Sequence, residues 1–129
     1  MNSVVHFEMS AVDKQRVADF YTKAFDWQMQ ILGPEMSNYV LATTTETDEK
    51  GPKNPGAING GFFDKNPNDP QTVHVVISVD NLEEAIEKIK QAGGTIEGEP
   101  MDIPGIGRYV SIRDTEGNRV GVLQAAPRS

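Results

Sequence analysis

Two histidines, His6 and His74, are the only imidazoles in a chain of 129 residues, and each follows a valine at the head of an apolar run. Imidazole is the commonest protein metal ligand and the side chain best matched to proton transfer near neutral pH. A converging pair would serve either chemistry. Glu8, two residues beyond His6, is the candidate general base or third ligand. Tyr39 and Tyr109, each followed by valine and 70 residues apart, are candidates to line a pocket, although aromatic residues in strands also serve packing. Gly56, Gly60 and Gly61 surround Asn59, where missing side chains permit a bulge or a close approach. Plainer readings stand beside these. A His or Glu on a strand is commonly a solvated polar residue. Pro104-Gly105-Ile106-Gly107 is either a loop at a pocket mouth or a turn, and Glu83, Glu84 and Glu87 read as a solvated helix face.

The chain around these residues narrows the options. Twelve Lys and Arg against 19 Asp and Glu give a net charge of −7 with no basic stripe, which repels phosphate backbones and excludes a nucleic-acid partner. Absence of cysteine removes disulfides, thiolate nucleophiles, Fe–S clusters and cysteine-ligated zinc. No apolar run approaches the roughly 18 residues of a membrane-spanning helix, so no membrane partner is expected. The opening Met-Asn-Ser-Val-Val-His lacks the charged and apolar regions of a secretory signal, and a cytoplasmic location is the expectation. A 37% apolar fraction supplies a core for one domain.

The elements that must position the histidines repeat. Val5-His6 and Val73-His74 lie 68 residues apart, and the same order of elements follows each. The first half reads as strand 3–9, helix 14–25, and strands near 27–32, 38–44 and 57–63. The second reads as strand 73–79, helix 81–92, and strands near 95–101, 108–113 and 119–124. Asn81 caps the second helix and Glu84 completes a capping box; Ala85, Ile86, Ile89 and Ala92 form its apolar stripe, and Gly93-Gly94 ends it. Val17, Phe20, Tyr21 and Ala24 give the first helix a matching stripe. Repeat 1 (1–64) and repeat 2 (72–129) flank a proline-broken linker, 65–71, within one domain. Thr45 to Pro55 reads as a mobile hairpin loop, and Asp114 to Asn118 as a turn. The expected fold is α+β: two βαβββ repeats forming curved mixed sheets.

Strand alternation assigns faces. Val5, Phe7 and Met9 share one face, and His6, Glu8 and Ser10 the other; Val73, Val75, Ile77 and Val79 oppose His74, Val76 and Ser78. Each helix should cover the wholly apolar face, leaving both histidines on the opposite side as the wall of a pocket.

This doubled plan, spanning nearly the whole chain, resembles the vicinal oxygen chelate superfamily of glyoxalase I, bleomycin- and fosfomycin-resistance proteins and extradiol dioxygenases. Matching stretches are His6-Phe7-Glu8-Met9 through Asp19-Phe20-Tyr21 with Phe25-Asp26-Trp27, and His74-Val75-Val76-Ile77-Ser78-Val79-Asp80 through Gly93-Gly94. Asp114-Thr115-Glu116-Gly117-Asn118 resembles the family's Asp-Pro-Asp-Gly-Asn turn. The resemblance implies a divalent metal (Zn, Ni, Co, Mn or Fe) held by one residue from each of four strands. His6 matches the first-strand ligand and His74 the fifth-strand ligand. The remaining ligands, usually Glu, fall at Asn59 or Gly61 and at Gly121, where this chain has no carboxylate.

Two readings follow from that resemblance. In one, a weakly held metal on His6 and His74 chelates a small substrate for lyase, isomerase or dioxygenase chemistry, with Glu8 as base or third ligand. In the other, a metal-free module binds or sequesters a small molecule; in either reading Tyr39, Asn59, Gly61, Tyr109 and Gly121 are the candidate ligand-binding positions. Members of this length usually form homodimers. If the repeats exchange between subunits, His6 and His74 of one site come from different chains.

Overall fold

The structure, a computed structural model, describes residues 1–126. It divides into two compact units, His6–Val73 and a second unit of His74 onward together with Met1–Val5. Each is a βαβββ module. In the first, β1 (Val4–Ala11), α1 (Lys14–Phe25), β2 (Gln28–Ile31), β3 (Val40–Thr43) and β6 (Asn59–Asp64) form a sheet of order β2-β3-β6-β1. In the second, β7 (Val73–Ser78), α2 (Leu82–Gln91), β8 (Thr95–Ile103), β9 (Gly107–Arg113) and β10 (Arg119–Ala125) give β8-β9-β10-β7. The fourth strand of each module runs parallel to its first, and the other pairs are antiparallel. Identical strand order and direction make the duplication structural.

Local chemistry explains the helix ends. Asp13, with extended backbone, accepts a hydrogen bond from the Arg16 N–H at 2.9 Å, and Asn81 does the same for Glu84 at 3.0 Å. Asp26 ends α1 in a left-handed conformation, and Gly93, with φ of 100°, follows α2. A short 3-10 turn, Pro34–Met36, precedes β3.

The first core buries Ala11, Ala18, Val40, Ala42 and Phe62 on the α1 side of the sheet, with Phe7, Met9, Tyr21 and Trp27 packed against them. Tyr21 stacks on Trp27 with ring centroids 4.6 Å apart. The second core gathers Leu82 and Ala85 of α2 with Val79, Val110, Ile112 and Val122. Burying a side chain the size of Phe62 or Leu82 contributes about 1.5–3 kcal/mol.

Three expectations need correction. Phe20 and Ala24 are exposed, and Ala18 takes the buried position, because the face α1 turns inward runs through Val17, Ala18 and Tyr21. The Phe20 ring instead lies edge-on to Tyr21 on the helix surface, 4.9 Å between centroids. Ala92 is exposed, since it caps α2 and no longer belongs to the stripe. Val73 and Val75 are exposed too, whereas Val79 is buried with α2. The helix packs on β8 and β10 and shields only the end of the fifth-strand run.

The segment after β3 forms a hairpin, β4 (Thr47–Asp48) with β5 (Gly51–Pro52). Lys53 N–H donates to the Glu46 carbonyl at 2.8 Å, and Asn54 Nδ2 to Thr45 Oγ1 at 3.1 Å.

Candidate functional site

Register decides what meets on the face away from α1. His6 lies opposite Asn59 and Glu8 opposite Gly61, while Leu41 of β3 pairs with Gly61 from the other side. Because these pairs share a face, His6, Glu8, Asn59 and Gly61 all point away from α1, and Phe7 and Met9 point toward it. The expected orientation of His6 holds.

Tyr39, one residue ahead of β3, reaches across this face. Its hydroxyl donates to Glu8 Oε2 at 2.8 Å and stands 3.5 Å from His6 Nε2. The ring lies over Gly61, so that a Cβ built there would fall on the phenol. Glycine at this position is what admits Tyr39. On the opposite side Phe7 lies over Gly60 in the same way. The consecutive glycines of β6 thus carry one aromatic ring on each face of the sheet.

Asn59 shares the face, but its amide is engaged at the strand's edge. Oδ1 accepts from the Thr44 N–H at 2.9 Å, and Nδ2 donates to Thr47 Oγ1 at 2.8 Å. It anchors the β4–β5 hairpin beside the cluster.

The second unit repeats the arrangement. On the face away from α2 stand His74 and Val76 of β7, Gly121 of β10, and Tyr109 and Ser111 of β9. Tyr109 lies over Gly121, again where a Cβ would meet its hydroxyl. His74 is only 5% exposed, which removes the reading of a polar residue on a solvated sheet. Sequence reasoning missed Arg113 and Arg119, which face each other across β9 and β10 on this same surface. Their alternation with Ile112 and Val120, which pack in the α2 core, was the available signal.

The structure therefore brings His6, Glu8, Tyr39 and Gly61 together in one unit, and Tyr109 with Gly121 in the other. These residues do not fit a resident metal ion. Among the described residues no group of three or more His, Asp or Glu side chains is placed to hold one. At both positions where a carboxylate ligand would project, a glycine is covered by a tyrosine ring. A catalytic metal site ordinarily needs about three protein ligands and an open position.

A doubled βαβββ sheet with a polar face in each half defines the architecture of a known family. The chain belongs to the Glyoxalase/Bleomycin resistance protein/Dioxygenase superfamily, whose model matches residues 3–122. It is 37% identical over 62 residues to "Putative glyoxylase CFP32" of Mycobacterium bovis, a stretch covering 48% of this chain and 24% of that protein. It is 26% identical over 138 aligned residues to the anthracycline biosynthesis protein DnrV of Streptomyces peucetius, covering 93% of this chain and 48% of the relative. The chain thus spans half or less of the length of these curated relatives. Among solved structures, a methylmalonyl-CoA epimerase in complex with methylmalonyl-CoA and NH4+ superposes with a TM-score of 0.72 at 12% identity, over 98% of this chain and 96% of that one. The hypothetical protein BH1468 of Bacillus halodurans gives 0.70 at 14% identity, over 99% and 97%. At such identities the likeness is one of fold. No helix among the described residues is long and apolar enough to cross a membrane.

Proposed function

We propose that this chain is a small-molecule-binding member of the superfamily that works without a resident metal, its polar contacts supplied by Tyr39, Glu8 and His6. The observation that carries the reading is the Tyr39 hydroxyl, held 2.8 Å from Glu8 directly over Gly61, in the space a carboxylate ligand would need. The phenol is a donor, the carboxylate an acceptor, and the imidazole either, so the cluster matches a ligand carrying both oxygen acceptors and hydroxyl or amide donors. The Tyr39 hydrogen bond fixes the orientation of the Glu8 carboxylate, one of whose oxygens accepts from the phenol. Tyr109 and Gly121 repeat the phenol-over-glycine device in the second unit, and a homodimer is the expected assembly.

Thermal shift in Zn²⁺, Ni²⁺, Co²⁺, Mn²⁺ and Fe²⁺ tests the metal half. A true site at about 100 times its Kd would add roughly 2.7 kcal/mol, and no saturable rise is expected here. A rise abolished by His6→Ala or His74→Ala would overturn the reading. The ligand half is tested by calorimetry against a panel of small oxygenated compounds, with Tyr39→Phe and Glu8→Gln expected to weaken any hit at least tenfold. A hit indifferent to both substitutions would move the site elsewhere. Trp27 is a poor reporter for such work, because it packs against Tyr21 and Phe7 on the α1 side of the sheet.

A further inference from the structure

Matching strand registers let the two units be compared position by position. On the faces away from the helices, His6 corresponds to His74, Ser10 to Ser78, Gly61 to Gly121 and Tyr39 to Tyr109. Neighbouring positions differ: Glu8 becomes Val76, Leu41 becomes Ser111, Asn59 becomes Arg119, Thr43 becomes Arg113 and Gln30 becomes Glu97. The first unit has one carboxylate, Glu8, in an otherwise neutral row, whereas the second has two guanidiniums and one carboxylate, Glu97, which is paired with Arg113. Since the shared positions show that the two faces are built alike, the differences mark a division of labour.

Arg113 and Arg119 are direct cross-strand partners. Like charges so placed destabilise a sheet by some tenths of a kcal/mol. Continuing the β7–β10 register puts Arg119 beside His74. Glu97, from β8, meets Arg113 Nε at 2.6 Å, and Arg113 Nη1 donates to the Gly117 carbonyl at 3.1 Å. A guanidinium carries five N–H donors in a planar fork, so it holds a protein partner and a ligand oxyanion together. Hydroxyls of Tyr109 and Ser111 share the face. Both arginines are partly exposed, in a chain whose net charge is −7. A local cationic row in an acidic protein focuses field on small anions while the rest of the surface repels large ones.

From this asymmetry we infer that the second unit's face, through Arg119 and Arg113, binds the oxyanion of a small molecule, a carboxylate or a phosphate. This rests on the small-molecule reading above and names the ligand's charge. The test is isothermal titration of the intact chain with oxalate and with inorganic phosphate at constant ionic strength, the two arms separating carboxylate from phosphate recognition. Saturable binding of at least one is expected, weakened tenfold or more by Arg119→Gln and less by Arg119→Lys. Arg108→Gln removes the same charge from a guanidinium paired with Glu83 and Asp102, and should leave binding unchanged. Arg119→Lys, which keeps the charge, guards against a variant that fails to fold. No saturable binding of either anion, or equal affinity in Arg119→Gln, would sink the inference. If a neutral panel compound meanwhile binds in a Tyr39-dependent way, the functional reading survives and only the oxyanion assignment falls.

Discussion

Replacing Gly61 with alanine asks whether Tyr39 truly depends on the missing side chain. Gly61 has no positive φ, so alanine meets no backbone penalty, and a less flexible unfolded chain would by itself stabilise by about 0.4–1 kcal/mol. Against this, the new Cβ falls on the Tyr39 ring and hydroxyl, and the side chain must rotate out. The hydrogen bond to Glu8 is then lost, about 1.5–3 kcal/mol for a bond to a charged group. Partial exposure of the ring adds about 1 kcal/mol at the usual area coefficient. The balance is a destabilisation of about 2 kcal/mol, or a Tm lower by roughly 6–10 °C for a chain of this size. Tyr39→Ala alone loses the same hydrogen bond. In the double variant the alanine at position 61 no longer meets the phenol, so the protein should be about 0.4–1 kcal/mol more stable than Tyr39→Ala, with a coupling of about 2.5–3 kcal/mol in the cycle. Urea unfolding of the four proteins measures this directly. Additive single effects would refute the idea that the ring and the glycine were fitted to each other.

Two further outcomes follow from the same geometry. Asn59→Ala removes the two hydrogen bonds its amide makes to Thr44 and Thr47 beside the β4–β5 hairpin and should cost about 1–3 kcal/mol locally; trypsin cleavage after Lys50 or Lys53 should accelerate several-fold, and an unchanged rate would show that the hairpin does not rely on this amide. At Asp114, hydrogen bonds from the Asn118 side chain first, then from the backbone N–H groups of Asn118 and Glu116, hold the carboxyl below its ordinary value of 3.8. A depressed folded value stabilises the protein above that ordinary value, and the contribution fades as pH falls through the folded one. Asn118→Ala should therefore raise the Asp114 pKa toward 3.8 in a carboxyl-carbon NMR titration; an unmoved titration would contradict the assignment.

Strand alternation around His6 and His74, the caps at Asp13 and Asn81, and the polar break at 65–71 are local properties. Alternation has a period of two and a helix cap spans three residues, so both are written in neighbouring letters. The doubling was legible for the same reason, as a fixed order of local elements. So was the absence of carboxylates at Gly61 and Gly121, although not what stands there instead. Tertiary structure supplied that answer, because Tyr39 and Gly61 are 22 residues apart and meet only once β3 and β6 pair in one register. The same holds for Arg113 and Arg119, whose facing positions depend on the turn between β9 and β10. The outward turn of Phe20 and the exposure of Val73 and Val75 were set by where each helix rests on its sheet. Periodicity gives a side chain its face; only pairing and packing give it a neighbour, and in this protein the candidate chemistry resides in the neighbours.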